Sequence, residues 1–366
     1  MTTLIDSKLS EPGGSSTPPA PLKPLRLAVA GLGRAGIVQA AVARSIPNVE
    51  LVGFAEADSA ARRAAKGAGF KLPAFERLAT LIEREKPDAL IVTGAHHTRP
   101  ALVREALDSG VAVLTDRPLS SALHEAESLA LLSRDKRVPL ACSHALMFHP
   151  VFAEASAVLA SGTLGAARRV RCSTYRSRVF DTSRQAALAA GGATGGVLLH
   201  EAIDALFYAV ETFGSPKQVR ATAQRLFGEL EDEVHVTLTL PSGGEVGLDA
   251  SWSVPGYPAA ATVLEFEGEN GKLLASDDAV ELDIIEERGT FRAGHTRLGL
   301  ADLAQAARFD LDGEATYRVL ASFLAWVAGG EPPIHRAERA VRALRVMDAV
   351  YTSSRTGGNP VALAVS

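Results

Sequence analysis

The sequence predicts a two-part protein. A doubly wound parallel α/β sheet comes first, and an α+β part with an open, mostly antiparallel sheet packed on helices follows. Apolar strands alternate with helices early in the chain, a glycine-rich loop joins the first strand to the first helix, and strands of alternating polarity begin after Pro150. A chain of 366 residues also exceeds one ordinary core and fits two domains.

The strands of the first part are apolar throughout, which is typical of parallel strands that helices cover on both faces. Helical segments separate them, and this alternation predicts the doubly wound architecture. The predicted strands are Leu25–Ala30, Val49–Ala55, Ala89–Thr93 and Val111–Thr115, and the predicted helices are Ile37–Ser45, Ala57–Gly67, Leu78–Glu85 and Pro100–Ser109.

The strands of the second part alternate polar and apolar residues, and glycine turns separate several of them, which indicates an antiparallel meander. We predict domains at residues 25–145 and 146–366, with closing helices that can pack back on the first domain. The predicted strands are Val170–Tyr175, Gln218–Arg225, Glu233–Leu240, Glu245–Trp252, Ala261–Glu267, Lys272–Ala275 and Ala279–Ile285, and the closing helices are Glu314–Ala328 and Arg336–Thr352.

The composition excludes several functional classes. Residues 1–24 include a tract rich in proline, glycine and serine without the apolar core of a secretory signal, so we expect a flexible tail. The net charge is −4 and no basic stripe is present, which argues against nucleic-acid binding. No apolar run is long enough to cross a bilayer. Cys142 and Cys172 lie far apart in the sequence, which argues against a structural zinc site. We therefore expect a cytoplasmic protein without membrane partners or a structural zinc site.

The loop Gly31-Leu32-Gly33-Arg34-Ala35-Gly36 follows the first strand and begins the first helix. Gly31 allows a tight turn, Gly33 lets the backbone approach a pyrophosphate, and Gly36 lets helix and strand pack closely. The helix N-terminus then offers free N–H groups to the phosphates. A glycine pattern between a strand and a helix, with an acidic residue downstream, predicts a dinucleotide site of the Rossmann type.

Glu56 ends the second strand, 25 residues after Gly31, where a carboxylate can accept both ribose hydroxyls of NAD. NAD is therefore favoured, while Arg62 and Arg63 leave NADP open. Ligands of doubly wound sheets bind at the carboxyl ends of the strands. The residues that we expect to line the cofactor there are Thr93, Gly94, His96, Asp116 and Arg117.

Beyond the loop, the chain resembles the glucose–fructose oxidoreductase, inositol dehydrogenase and MocA (Gfo/Idh/MocA) oxidoreductase family from Leu25 nearly to the C-terminus. The segment Gly110–Leu119 resembles the family's strand and Glu-Lys-Pro motif, and Gly195–Asp204 resembles its catalytic helix. The remaining similar segments are Phe148-His149-Pro150, Gly162-Thr163-Leu164-Gly165 and the stretch from Phe323 through Glu331-Pro332-Pro333 to Tyr351.

The resemblance implies a Rossmann domain, an open sheet often used for oligomerisation (here a homodimer or homotetramer), and hydride transfer to or from a sugar, cyclitol or similar carbon. It also implies a catalytic Lys of Glu-Lys-Pro, with an Asp and a His four residues apart. This sequence departs from that set. Arg117 stands in place of the Lys, and Asp116 stands in place of the Glu. His200 falls on the family's Asp position, and Asp204 falls on its His position. Arg99 stands where the family frequently has a His.

The exchanged pair still offers acid–base chemistry. Residues four apart on an α-helix share a face, so His200 and Asp204 can meet. Histidine titrates near neutrality and suits proton abstraction from a carbinol, while Asp204 can orient it. Arg117 stays charged and can bind a carbonyl, carboxylate or phosphate, which favours a polar or anionic substrate. The family's geometry places His144 and Tyr175 beside the substrate.

Alternatives remain open at this stage. His200 and Asp204 can simply satisfy one another on a partly buried helix, and a zinc site over His200-Glu201-x-x-Asp204 lacks a third ligand, so no metal is expected. Arg168-Arg169 and Arg176/Arg178 match an exposed strand face, although one of these arginines can also reach an anionic substrate. Besides net oxidation or reduction, the chain fits a cofactor-retaining eliminase, hydrolase or epimerase, or a catalytically silent member that only binds a dinucleotide.

Overall fold

The computed structural model describes residues 23–67, 69–179, 195–303 and 311–364. A six-stranded parallel sheet comes first, in the order β3-β2-β1-β4-β5-β6. Its strands are β1 (Leu25–Ala30), β2 (Val49–Ala55), β3 (Ala74–Phe75), β4 (Ala89–Val92), β5 (Ala112–Asp116) and β6 (Leu140–Ser143). Its helices are α1 (Arg34–Ala43), α2 (Ser59–Gly67), α3 (Leu78–Glu85), α4 (Arg99–Asp108) and α5 (Leu123–Lys136).

A nine-stranded mixed sheet follows, in the order β14-β13-β12-β11-β7-β10-β9-β8-β15, and only its β7–β10 pairing is parallel. Its strands are β7 (Ala167–Tyr175), β8 (Gln218–Gln224), β9 (Glu233–Thr239), β10 (Glu245–Ser251), β11 (Ala261–Gly268), β12 (Gly271–Ala275), β13 (Ala279–Ile284), β14 (Gly294–Gly299) and β15 (Val361–Ala362). The predicted fold class is therefore confirmed.

The helices of the second part connect the two sheets. A 3₁₀ turn at Ala145–Phe148 leads into α6 (Pro150–Ala160), and a π-helical turn at Leu198–Ala202 leads into α7 (Ile203–Phe213). The later helices are α8 (Leu300–Leu303), α9 (Leu311–Val327) and α10 (Ala337–Arg355). Of the predicted tail, only Lys23 and Pro24 lie within the described residues.

The parallel strands are buried on both faces, because their alternate side chains enter two different cores. Leu27 and Val29 of β1 pack in one cluster with Val319, Leu320 and Phe323 of α9. Ala28 and Ala30 of the same strand belong to the other cluster, which continues into the nine-stranded sheet. Continuous apolar packing therefore fixes the position of the first sheet relative to the second.

One charged contact fastens α10 to α7, the helix that follows the π-helical turn. The Glu211 side chain on α7 is only 1% exposed, it pairs with Arg339, and Arg342 lies 3.6 Å from its other oxygen. A buried carboxylate is stable only while its charge is paired, so these arginines hold the two helices in register. Farther along α10, Arg345 pairs with Glu127 at 2.9 Å, where both side chains are largely exposed.

We expect Arg339→Met to lower the free energy of unfolding by about 2 kcal/mol, because it leaves Glu211 with Arg342 alone. The matched control is Arg345→Met on the same helix, which should cost no more than about 0.5 kcal/mol because its pair is exposed. Urea unfolding followed by circular dichroism measures both. Equal losses in the two variants would show that the Glu211 contact does not fasten the helices.

Candidate active site

The glycine loop is packed so tightly that two of its glycines leave no space for a side chain. Gly31 has φ +97°, and a Cβ there would lie 2.6 Å from the Thr93 hydroxyl oxygen. A Cβ on Gly36 would lie 2.0 Å from the Gly31 carbonyl oxygen, whereas a Cβ on Gly33 would meet nothing within 4 Å. The loop is therefore closed against the sheet and open at Gly33, a shape that admits a phosphate group.

Backbone N–H groups and a carboxylate converge at this loop. No side chain caps the N-terminus of α1 at Gly33, and the first turn contains no acidic residue. The Glu56 carboxylate accepts hydrogen bonds from the backbone N–H of Leu32 at 2.8 Å and of Asp58 at 3.0 Å. This arrangement fits a pyrophosphate at the N–H groups of Gly33 to Gly36 and a ribose beside Glu56.

Arg62 lies at the same end of β2, which bears on the choice between NAD and NADP. Its Nη1 donates to the carbonyl oxygens of Glu56 and of Ala57, the latter at 2.8 Å. The neighbouring Arg63 instead donates to the Ser59 hydroxyl at 3.2 Å on the surface of α2. Of these two arginines, only Arg62 therefore lies beside Glu56.

The other residues predicted to contact the cofactor lie at the carboxyl ends of β4 and β5. The Thr93 hydroxyl donates to the Gly31 carbonyl at 3.0 Å, and Gly94 has φ +110°. Asp116 accepts from the Gln39 side chain at 3.4 Å. The Thr93 contact connects the ends of the neighbouring strands β4 and β1, and the Asp116 contact connects β5 to helix α1. The cofactor-binding roles of these residues stay predictions.

His200 lies in the π-helical turn, at the junction between the two sheets. Its ring stacks on that of His96, with centroids 4.6 Å apart, and lies 6.0 Å from the ring of Trp252. Its Nε2 is buried and has no hydrogen-bond partner among the described residues. Burial, followed by the positive charge of Arg178, lowers the pKa of His200 to about 4, so its imidazole is neutral at pH 7.

Each carboxylate oxygen of Asp204 contacts a different side chain. Its Oδ2 lies 2.8 Å from Nε of Arg117, and its Oδ1 lies 2.8 Å from Nδ1 of His144. The His144 ring is 2% exposed and stacks on Phe207, with centroids 4.0 Å apart. The Asp204 carboxylate raises the pKa of Arg117 further above its usual range, so the guanidinium remains charged.

The expected contact between His200 and Asp204 is absent from the described residues. Both oxygens of the Asp204 carboxylate have closer partners, in Arg117 and His144. The structure thus brings Arg117, Asp204 and His144 into one network and places His200 beside His96 instead.

The expectation that Arg176 and Arg178 lie on an exposed face is wrong. Their side chains are 22% and 16% exposed, and each donates from Nη1 to Oε1 of Glu201, at 2.8 and 2.9 Å. Glu201 itself is 6% exposed. A buried carboxylate needs a cationic partner, and that requirement was the sequence signal for this cluster.

Helix α10 positions the segment that leads to His200. Glu231 accepts hydrogen bonds through one carboxylate oxygen from the Gly196 N–H and from the Tyr351 hydroxyl, both at 2.8 Å. A Cβ on Gly196 would lie 1.9 Å from the Glu231 carbonyl oxygen, so only glycine fits there. Burial, together with the Glu231 charge, raises the pKa of Tyr351, which keeps its hydroxyl protonated as a donor.

The remaining predicted residues show simpler surroundings. Tyr175 ends β7, and its ring centroid lies 5.5 Å from that of Tyr257. Arg99 is 1% exposed and donates to the Pro118 carbonyl at 2.6 Å. The described ranges contain no group of three or more His, Cys, Asp or Glu residues able to hold a metal ion, and none of their helices is long and apolar enough to cross a bilayer.

A parallel sheet of this order, with a glycine loop shaped for a dinucleotide, defines a Rossmann-type dinucleotide-binding fold. Comparison with family models identifies the family to which the chain belongs. Residues 25–144 match the model described as an oxidoreductase family with an NAD-binding Rossmann fold, and residues 152–274 match the Gfo/Idh/MocA C-terminal domain. The chain belongs to the Gfo/Idh/MocA oxidoreductase family.

Characterised relatives extend over most of the chain. D-Apiose dehydrogenase of Paraburkholderia graminis is 26% identical over 86% of this chain and 83% of its own. D-Xylose 1-dehydrogenase (NADP(+)) 2 of Haloferax volcanii is 26% identical over 90% of this chain and 97% of its own. An oxidoreductase from Agrobacterium radiobacter, solved with NAD+, L-tartaric acid and magnesium, shares the fold with a TM-score of 0.79, at 18% identity over 92% of this chain and 98% of its own.

The loop geometry predicts opposite effects for two glycine substitutions. We expect Gly36→Ala to lower the unfolding free energy by about 1–3 kcal/mol, because its Cβ would overlap the Gly31 carbonyl oxygen. Gly33→Ala should leave the melting temperature unchanged and weaken NADH binding, because its Cβ enters the open side of the loop. Thermal melting and NADH fluorescence titration measure the two effects, and an unaltered NADH affinity in Gly33→Ala would show that the dinucleotide binds elsewhere.

Proposed function

We propose that this chain is a cytoplasmic NAD(P)-dependent dehydrogenase that transfers hydride between the nicotinamide and a small polar substrate of the sugar or hydroxy-acid class, through an altered set of catalytic residues. The proposal rests chiefly on one observation: the buried Nε2 of His200, which has no hydrogen-bond partner among the described residues, belongs to a ring stacked on His96 beyond the end of β4, the neighbour of the strand that leads into the glycine loop. The sugar dehydrogenases among the relatives support the substrate class.

His200 has the chemistry that oxidation of a carbinol needs. The dinucleotide, when bound, supplies the hydride acceptor. His200 is neutral at pH 7, so it is ready to take the hydroxyl proton while the carbon loses hydride. Because its pKa is lowered to about 4, protonation disables this base only in acid, and oxidation by the free enzyme should persist well below pH 6.

Arg117 and Asp204 act differently in this proposal. Arg117 replaces an acid–base lysine by a permanent cation, which can orient a substrate oxygen but not exchange its proton. Asp204 fixes the Arg117 guanidinium and is itself held by His144. His144 is therefore a positioning residue, whereas Tyr175 is the aromatic residue that we assign to the edge of the substrate pocket.

The proposed cofactor is NAD, with NADP as a second possibility. The Glu56 carboxylate beside the loop disfavours a 2′-phosphate, while the Arg62 guanidinium favours one. Arg62 already donates to two backbone carbonyls, which leaves its guanidinium less available to a 2′-phosphate. We therefore propose NAD as the preferred cofactor. The name of the Haloferax volcanii relative specifies NADP, so both forms belong in the assay.

We also propose a homodimer or homotetramer formed through the open face of the nine-stranded sheet. Both halves of this face carry charges of both signs: Arg171 pairs with Asp249 at 2.6 Å on one half, and Arg297 with Glu281 at 3.4 Å on the other. In a two-fold arrangement the same face of both chains meets, so charged residues of one chain can contact opposite charges of the other.

We expect His200→Ala to lower kcat by about 10²–10⁴-fold, because the proton acceptor is removed, and to leave NADH affinity unchanged. Absorbance of NADH with a panel of sugars, cyclitols and hydroxy acids measures turnover. The matched control is His97→Ala, an exposed histidine of the His96 loop, which should retain activity. Full turnover by His200→Ala would end the assignment, and substrate conversion without net NADH formation would favour a cofactor-retaining reaction.

Arg62→Gln should weaken NADPH binding by about tenfold, equivalent to about 1.4 kcal/mol, while NADH binding changes little. The reason is that only the 2′-phosphate gains from the cation at the end of β2. Arg63→Gln, whose guanidinium binds on the helix surface, is the control and should leave both affinities unchanged. Equal weakening of NADH and NADPH by Arg62→Gln would mean that Arg62 supports the loop rather than the phosphate.

A further inference from the structure

The helix that carries His200 begins with backbone N–H groups that bind a residue distant in the sequence. The π-helical turn continues directly into α7, and Val197, at its capping position, makes no side-chain hydrogen bond. The Gly196 N–H donates to the Glu231 carboxylate at 2.8 Å, and the Val197 N–H donates to the Glu231 backbone carbonyl at 2.9 Å. The first N–H groups of a helix have no partner within it, so Glu231 stabilises this start with both its side chain and its backbone. Its negative charge also lies at the positive end of the helix dipole.

Tyr351 of α10 connects this carboxylate to the helix. Its hydroxyl donates at 2.8 Å to the same Glu231 oxygen that accepts from Gly196. Burial and then the Glu231 charge raise the pKa of Tyr351, whereas a hydrogen bond with the Leu199 backbone lowers it. A backbone group lowers the pKa of a phenol when its N–H donates to the phenol oxygen. The Tyr351 hydroxyl therefore binds both Glu231 and Leu199, the residue before His200.

The packing around these contacts leaves the segment little room to move. A Cβ on Gly195 would lie 2.9 Å from the Tyr351 hydroxyl oxygen and 2.9 Å from the Leu199 Cβ. A Cβ on Gly196 would lie still closer to Glu231, at 1.9 Å from its carbonyl oxygen. Because the protein interior is close-packed here, a change at Glu231 or Tyr351 also displaces the two glycines.

The glycine segment also binds the imidazole of His200. Burial and then the Arg178 charge lower the pKa of His200, and a hydrogen bond with the Gly195 backbone acts against them. A hydrogen bond raises the pKa of an imidazole when the ring donates, and the acceptor on the Gly195 backbone is its carbonyl oxygen. Because Nε2 has no partner among the described residues, the donor is Nδ1. A neutral ring with its proton on Nδ1 carries its lone pair on Nε2, the nitrogen that would take the substrate proton.

Asp232, the residue after Glu231, positions a neighbour of the His200 ring. Its backbone carbonyl accepts a hydrogen bond from the Trp252 backbone N–H at 2.7 Å, and the Trp252 ring centroid lies 6.0 Å from that of His200. Asp232 is 2% exposed, and its carboxylate accepts from the Leu226 N–H at 2.9 Å. Two consecutive residues thus position the helix that carries His200 and a ring beside it.

We propose that Glu231 and Tyr351 are positioning residues for His200: they cap the helix that carries it and hold its ring with Nδ1 on the Gly195 carbonyl and Nε2 open to the substrate hydroxyl. Both residues act on the ring through the segment Gly195–Gly196. This inference rests on the role of His200 in the dehydrogenase function proposed above, and it adds what selects the tautomer of that base.

A merely structural role for the Tyr351 hydroxyl makes a different prediction from a positioning role. In the structural case, Tyr351→Phe lowers stability and leaves the His200 ring unchanged. In the positioning case, the Leu199 N–H and the Glu231 carboxylate lose a shared partner, the glycine segment shifts, and water reaches the ring. Both tautomers of His200 should then be populated at pH 7, and its pKa should rise toward its usual value of about 6.5.

Tyr208→Phe is the matched control, because it makes the same chemical change on α7 itself. The Tyr208 hydroxyl is also buried, accepts from the Ser156 hydroxyl at 2.8 Å and donates to the Phe152 carbonyl at 3.0 Å. Both variants therefore lose a buried hydroxyl with two hydrogen bonds. The Tyr208 hydroxyl binds α6 rather than the glycine segment, so its loss should leave the His200 ring as it is.

Long-range ¹H–¹⁵N spectra of protein labelled in its histidine rings measure tautomer and pKa without turnover, and His200→Ala identifies the His200 signals. We expect the wild-type ring to carry its proton on Nδ1 and to titrate with a pKa of about 4. Tyr351→Phe should show both tautomers and the higher pKa, and Tyr208→Phe should match the wild type. Thermal melting verifies that both variants fold. A wild-type ring protonated on Nε2, wild-type signals in Tyr351→Phe, or equal changes in the two variants would overturn the inference.

Turnover separates this inference from the proposed function. Tyr351→Phe should lower kcat by about 10–100-fold and change KM by less than about threefold, because a displaced base slows the reaction without weakening binding. The acid limb of kcat/KM should move to higher pH in Tyr351→Phe and stay in place in Tyr208→Phe. An unaltered kcat in Tyr351→Phe would overturn the positioning role. Full turnover by His200→Ala would instead count against the proposed function, while the spectra would still decide whether Glu231 and Tyr351 position the ring.

Discussion

The arrangement of the candidate site depends on one carboxylate, Asp204. It binds Arg117 at the end of the parallel sheet with one oxygen and the buried His144 with the other. This single side chain therefore ties helix α7 to two strand ends of the cofactor-binding sheet. Removing a charge from such a buried network costs far more than removing an exposed ion pair, because the remaining partners are left uncompensated.

The fold could be predicted because its signals are local and repeated. Apolar strands that alternate with helices, and a glycine loop between the first two elements, were enough to indicate the doubly wound sheet. Short or exposed elements were missed: β15 has two residues, and β14 is largely exposed, so neither has a strong apolar pattern. The amphipathic helix α5 and the short strand β6 were also overlooked, although both contribute buried residues to the core.

The site was harder to predict, because its contacts depend on details that spacing does not encode. The spacing of His200 and Asp204 indicated a pair, but the Asp204 carboxylate contacts Arg117 and His144 instead. Arg176 and Arg178 alternate as exposed residues would, and only the buried Glu201 next to His200 distinguishes them. The folded structure decides which side chains pair, and Arg117 and His144 lie nearer to the Asp204 carboxylate than His200 does.

Compared with the family pattern, the substitutions make one consistent chemical change. A lysine that can exchange a proton is replaced by Arg117, whose charge is permanent, and the carboxylate that pairs with it is Asp204. In the proposed function, proton transfer is left to His200, whose buried Nε2 has no hydrogen-bond partner among the described residues and whose low pKa reflects its desolvation and the surrounding cations. In that function, the permanent charge that can orient a substrate oxygen and the group that can take its proton belong to different residues, Arg117 and His200.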